Sequence, residues 1–140
     1  IINELINRHS LNNIVKICFD YLPEEEINKE LAKADLVVYP YQTSNESSSA
    51  AVRNGLKSGS TIAVTPLDVF QDVEKVAYKV SGFSAEDLSK DIKKWHENEL
   101  SKSKEQIKLD RENIINWLLQ FDFNKIAIRL ENIIEGLLLE

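Results

Sequence analysis

Two short apolar runs restrict this chain most: Leu36-Val37-Val38-Tyr39 and Thr61-Ile62-Ala63-Val64-Thr65, closed by Pro40 and Pro66. Continuous runs of aliphatic and β-branched residues of this length are how strands covered on both faces read. A proline after each run removes the N–H that a further ladder bond would need. Between the two runs, residues 50–57 have helical spacing and stop before Gly59. Strand, helix and strand in that order, with connections of a few residues, predict a parallel sheet layered with helices. The expected fold class is α/β, with a Rossmann-like parallel sheet flanked by helices and a helical C-terminal extension.

Elements on either side extend the pattern. Ile2, Leu5 and Ile6 form a helical stripe that ends near His9-Ser10. Val15-Lys16-Ile17-Cys18-Phe19 alternates and predicts a strand exposed on one side, with Cys18 as a small core hydrophobe. Asp20-Tyr21-Leu22-Pro23 reads as a turn, and Glu24, Glu25 and Glu26 put negative charge at the positive end of a helix running to about Lys33. Residues 76–80 predict a weaker strand near a sheet edge. From Ser84 onward the pattern is helical. Between Ala85 and Glu112 eight acids are interspersed with seven Lys/Arg, which is the pattern of a solvated, ion-paired surface. In the last helix Ile126, Leu130, Ile133, Ile134, Leu137 and Leu138 share one face, opposite Lys125, Arg129, Glu131 and Glu135. A helix lying on a membrane would be richer in Lys and Arg, so packing on protein is predicted.

Composition removes several function classes. A length of 140 residues suits one domain, and a net charge of −6 argues against a domain built to grip nucleic acid. One cysteine rules out an internal disulfide and a cysteine-rich zinc site, and suits a reducing compartment. No apolar run approaches the roughly 18–20 residues that span a bilayer. His9 and His96 are isolated, so no metal site is expected, and no Asp-x-Asp pair occurs. The chain begins at Ile1 and contains no methionine, and is expected to be a piece of a longer protein, with Leu139-Glu140 read as a cloning scar.

Chemistry concentrates at the carboxyl end of the first apolar run, where α/β sheets place their ligands. There Tyr39-Pro40-Tyr41 leads through a polar loop to Glu46-Ser47-Ser48-Ser49 and into the helix at Ala50. The first turn of a helix has free N–H groups and a positive dipole end, which together favour phosphate. Three small serines add hydroxyl donors and let an anion come close. The structural alternative is that Ser47 or Ser48 caps the helix and Glu46 favours its dipole. Tyr39 is explained by strand packing, whereas Tyr41 is a candidate to face the cleft. Arg53 is the one Arg of this stretch, with a surface ion pair and a phosphate contact both open to it.

These residues resemble a known family. Asp35-Leu36-Val37-Val38-Tyr39-Pro40-Tyr41, then Glu46, then Gly59 before a short strand, is similar to the donor-binding domain of GT-B glycosyltransferases. The nearest group is the large retaining, family-4-like set that includes many lipopolysaccharide, capsule and glycan-chain enzymes. Phe19-Asp20-Tyr21-Leu22-Pro23 before a Glu-led helix belongs to the same likeness, which runs from about Leu11 to Trp95 and more loosely beyond. That family has a Glu, seven residues and a second Glu, with Gly five residues later. Glu46 and Gly59 match, and Asn54 stands at the second Glu.

The resemblance implies that residues 1–100 are a nucleotide-sugar-binding Rossmann-like domain, truncated at its start, with residues 101–140 as helices packing on it. It implies metal-independent, retaining transfer from a nucleotide-diphosphate sugar to a glycan or lipid-linked acceptor in bacterial surface polysaccharide assembly, with no cofactor. Glu46 would hold donor-sugar hydroxyls, Ser47, Ser48 and Ser49 would meet the diphosphate, and Asn54 would face the ribose with an amide in place of a carboxylate. Tyr21 and Leu22 would cradle the base. The family's Arg and Lys that neutralise the departing diphosphate lie on a loop upstream of Ile1, and the acceptor is held by a separate N-terminal domain. The location implied is the cytoplasm, with peripheral association of the parent protein at the inner face of the membrane. The apolar face of the last helix is expected to be exposed or used for dimerisation. In the family two further strands lie between those at residues 15–19 and 36–39, so here either the sheet has a gap or these strands pair directly. The rivals are a GT-B-like module that binds without transferring and, last, a receiver-like or flavodoxin-like domain, for which Asp20 is a poor match.

Overall fold

The computed structural model describes residues 1–138. In chain order it contains α1 (Ile2–Arg8), α2 (Glu24–Lys33), β1 (Leu36–Tyr39), α3 (Ala50–Lys57), β2 (Thr61–Val64), a 3-10 helix (Asp68–Val73), β3 (Tyr78–Lys79), α4 (Ala85–Ser101), α5 (Lys104–Gln120) and α6 (Phe123–Leu138). The strands form one parallel sheet in the order β1-β2-β3. Leu36 aligns with Thr61 and Tyr39 with Val64, so the two proline-closed runs lie side by side in full register. The α/β class read from the sequence is therefore the class of the fold.

Central β2 is the most buried strand, with Ile62, Ala63 and Val64 at 0–2% exposure. Around it gather Val52 and Leu56 from α3, Val69, Phe70 and Val73 from the 3-10 helix, and Trp117 from α5. Helix α3 approaches the sheet closely because position 55 is glycine: a Cβ there would stand 2.6 Å from Tyr39 Oη and 3.1 Å from Ile62 Cγ2. Its stop is explained by Gly59, at φ +84°, a left-handed position that favours glycine and lets its N–H bond Leu56 O at 3.1 Å. Ser84 and Asp87 start α4 as a reciprocal capping box, and the Ser103 hydroxyl caps α5.

The structure corrects several expectations. Residues 15–19 form no strand: Val15 is 40% and Phe19 79% exposed, and Cys18 is exposed rather than a core residue. A strand is stable only when a neighbour takes its N–H and C=O groups, and within the described residues nothing pairs with this one. Neither arrangement expected for residues 15–19 and β1 is observed: the described strands form one continuous sheet, and residues 15–19 add no strand to it. Consequently β1 is an edge strand, half-buried rather than covered on both faces. The stretch 76–80 contributes only Tyr78–Lys79 as a strand, at the opposite edge, with Val80 N adding a bond to Val64 O at 3.0 Å.

The C-terminal helices differ in how they pack. Helix α5 is anchored by Trp117, whose Nε1 donates to Asp72 O at 2.8 Å, with Ile114 and Leu118 beside it on the core. Helix α6 touches mainly α5 and is exposed throughout, including the face carrying Leu130, Ile133, Leu137 and Leu138. Of the expectations for that face, packing on protein is not seen within the chain, and exposure is. Leu139-Glu140 lies outside the described residues. No helix among them is long and apolar enough to cross a membrane.

Candidate functional site at the carboxyl end of β1

The β1–α3 connection is fastened at both ends. At its start the Thr65 hydroxyl, 1% exposed, donates to Tyr41 O at 2.7 Å and ties the carboxyl ends of β1 and β2 together. The Tyr41 ring lies 5.3 Å from that of Phe70, and its hydroxyl is 3.4 Å from Ser49 Oγ. At its end, Ser49 is 4% exposed and accepts from Val52 N at 3.4 Å. Ser49 is thus the N-cap of α3, in place of the Ser47 or Ser48 expected from the sequence. Three adjacent serines are alike by type; contact with Tyr41 selects the third. Tyr39 completes the frame by donating to Ala51 O at 2.8 Å, and burial, with Tyr41 beside it, holds its phenol above the usual value.

Between the two fastenings several polar groups are unengaged. The Ala50 and Ala51 N–H groups have no acceptor among the described residues, as the first turn of a helix dictates. Ser47 is exposed and Ser48 half-buried, and neither hydroxyl makes a hydrogen bond among those residues. Glu46 is exposed; its N–H donates to Ser44 Oγ at 3.1 Å, and its carboxylate forms no ion pair with a described residue. Asn54 is half-buried and lies one turn below Ala50 and Ala51 on the same helix face. These residues bring hydroxyls, N–H groups, an amide and a carboxylate to one end of the sheet.

Arg53 is occupied elsewhere. Its guanidinium pairs with Asp72 and stacks 5.6 Å from the Trp117 ring centre and 5.1 Å from that of Phe121. Of the two roles open to it in the sequence, the ion pair is the one formed, as a clamp joining α3, the 3-10 helix and α5. No local pattern could have disclosed Asp72, Thr65 or Trp117 as its supporting cast, because each meets the loop or α3 only through tertiary packing.

The residues placed near the base are less developed. Tyr21 is 96% exposed and Leu22 half-buried, and no hydrogen bond joins either to the 40–49 loop. His9 caps the end of α1, and His96 sits on α4 beside Trp95. Among the described residues no three His, Cys, Asp or Glu side chains converge. No family model and no curated protein matches this chain.

Proposed function

We propose that this chain is the donor-binding part of a retaining GT-B glycosyltransferase, holding a nucleotide-diphosphate sugar at the β1–α3 connection. The observation that supports it most is the pair of free N–H groups on Ala50 and Ala51, placed at the carboxyl end of a parallel strand behind two unengaged serines. In this reading the diphosphate sits on the helix end, where aligned N–H groups and the dipole offset part of its charge. Ser47 and Ser48 add hydroxyl donors, while Ser49 and Tyr41 hold the turn in shape. Glu46, free of ion pairs, accepts from donor-sugar hydroxyls. Asn54 takes the ribose hydroxyls with an uncharged amide, so nucleotide binding is weaker than a carboxylate there would give. Acceptor binding and transfer belong to a larger chain whose second domain faces this one across the cleft, and the fragment binds donor without turning it over.

A second reading, a GT-B-like module that binds nucleotide sugar but has lost transfer, is favoured by Asn54 and by Arg53, the one Arg of the stretch, being committed to Asp72. Titration of the full parent protein with UDP, GDP, ADP and their sugars, beside turnover assays, separates the two. Donor-dependent transfer supports the enzyme, and binding without turnover supports the module. No binding by the parent, or binding unchanged in Glu46→Ala, overturns both.

A further inference from the structure

The opposite, amino end of the sheet holds a cavity of about 300 Å³ between α4, α5 and the starts of β2 and β3. That volume is at the lower end for small-molecule sites. One wall is apolar and aromatic: Trp95, Tyr78 and Ile114. The other is polar but electrically balanced. Lys102 reaches into an ion triad with Glu99 and with Asp110, the latter at 2.8 Å; the triad carries one net negative charge, and Lys75 on the same lining brings the sum to zero. The exposed side-chain amides of Asn98 and Asn113 also line the cavity, and neither is hydrogen-bonded within the described residues. Trp95 is only 8% exposed, and its Nε1 is buried with no acceptor. Buried indole N–H groups ordinarily find a partner.

The ligand chemistry follows from this lining. A lining of two cations and two acids has no net pull on a free anion or cation. Two amides that each donate and accept, sharing a cavity with aromatic side chains, suit a ring with one apolar face and a rim of hydroxyls, since every hydroxyl also donates and accepts. We propose that this cavity is a binding site for an uncharged sugar ring, a pyranose, with the Asn98 and Asn113 amides on its hydroxyls and Trp95 and Tyr78 against its apolar face. The site is separate from the β1–α3 connection and does not rest on the donor reading, because it takes the sugar without a nucleotide.

The chain contains two tryptophans, hence two indole N–H signals in a ¹⁵N–¹H spectrum. Trp117, bonded to Asp72 O, is outside the cavity and serves as the internal control. Titration with glucose and with N-acetylglucosamine, against glucuronate and benzoate, should move the Trp95 indole signal saturably with the neutral sugars and leave Trp117 in place. The exposed pair Asn98→Ala/Asn113→Ala should weaken that binding at least about tenfold, the loss of roughly one good hydrogen bond, with the amide spectrum otherwise retained. Glu46→Ala should leave it unchanged, so a failed donor titration and a failed sugar titration are distinct results. No saturable shift of Trp95, equal shifts of both indoles in proportion to added sugar, tighter binding of glucuronate or benzoate, or full affinity in the double variant overturns the proposal.

Discussion

The proposed nucleotide-sugar site draws on two stretches, and they are built very differently. The 40–49 loop runs from a paired strand to a capped helix, and Thr65, Tyr41 and Ser49 fix its ends. Residues 11–23 contain far more apolar side chains than that polar loop, yet Ile14, Phe19 and Tyr21 are 78–96% exposed and no sheet lies beneath them. Apolar character therefore does not decide which stretch is ordered. What separates them is a neighbour for the backbone: β1 has β2 in register, while residues 15–19 have no partner strand. The phosphate side of the proposed site is therefore preorganised by the core, and the base side is not.

Core truncation should sharpen this contrast most. Leu56, fully buried on α3, should lose about 2–5 kcal/mol of stability on Leu56→Ala, read by denaturant unfolding. Phe19→Ala should stay within about 0.5 kcal/mol of the parent; a loss above about 1 kcal/mol would erase the distinction, because it would mean that residues 15–19 are packed. Gly55→Ala comes next, at about 1–3 kcal/mol, since its Cβ meets Tyr39 and Ile62 and the Tyr39 bond to Ala51 O must give way. Ser49→Ala should cost about 0.5–2 kcal/mol through loss of the cap, whereas Ser47→Ala should be silent in unfolding. The reverse order would return the cap to Ser47.

A smaller effect concerns acid. Asp91 accepts from both the hydroxyl and the N–H of Ser81 at 2.6 Å, and these bonds hold its carboxyl below the usual value. Its stabilising contribution is complete above the unfolded value near 4 and is lost as pH falls through the lower folded value. Asp91→Asn should therefore be less stable than the parent at neutral pH and converge with it in acid. A gap that persists unchanged below the folded value would assign the effect to packing instead.

How much was legible depended on whether the information was local. The two proline-closed runs, the helix between them and its stop at Gly59 were readable because each is set by residues within a few positions. Alternation at residues 15–19 misled because period two states only which side chains share a face, not whether a partner strand is there. Ser49 could not be told from Ser47 by residue type. The clamp of Arg53 on Asp72 and Trp117, and the cavity spanning residues 61–114, join positions far apart in the chain and have no signature in it.

The claim that the end of α3 receives a diphosphate is tested most directly at Ala50 and Ala51. In a ¹⁵N–¹H titration of this chain with UDP, GDP and ADP, their two amide signals should shift saturably with at least one nucleotide, and inorganic pyrophosphate should move the same two signals and compete with that nucleotide. Amide signals at 50 and 51 that stay still with every nucleotide, or that move only when residues elsewhere move more, would contradict it.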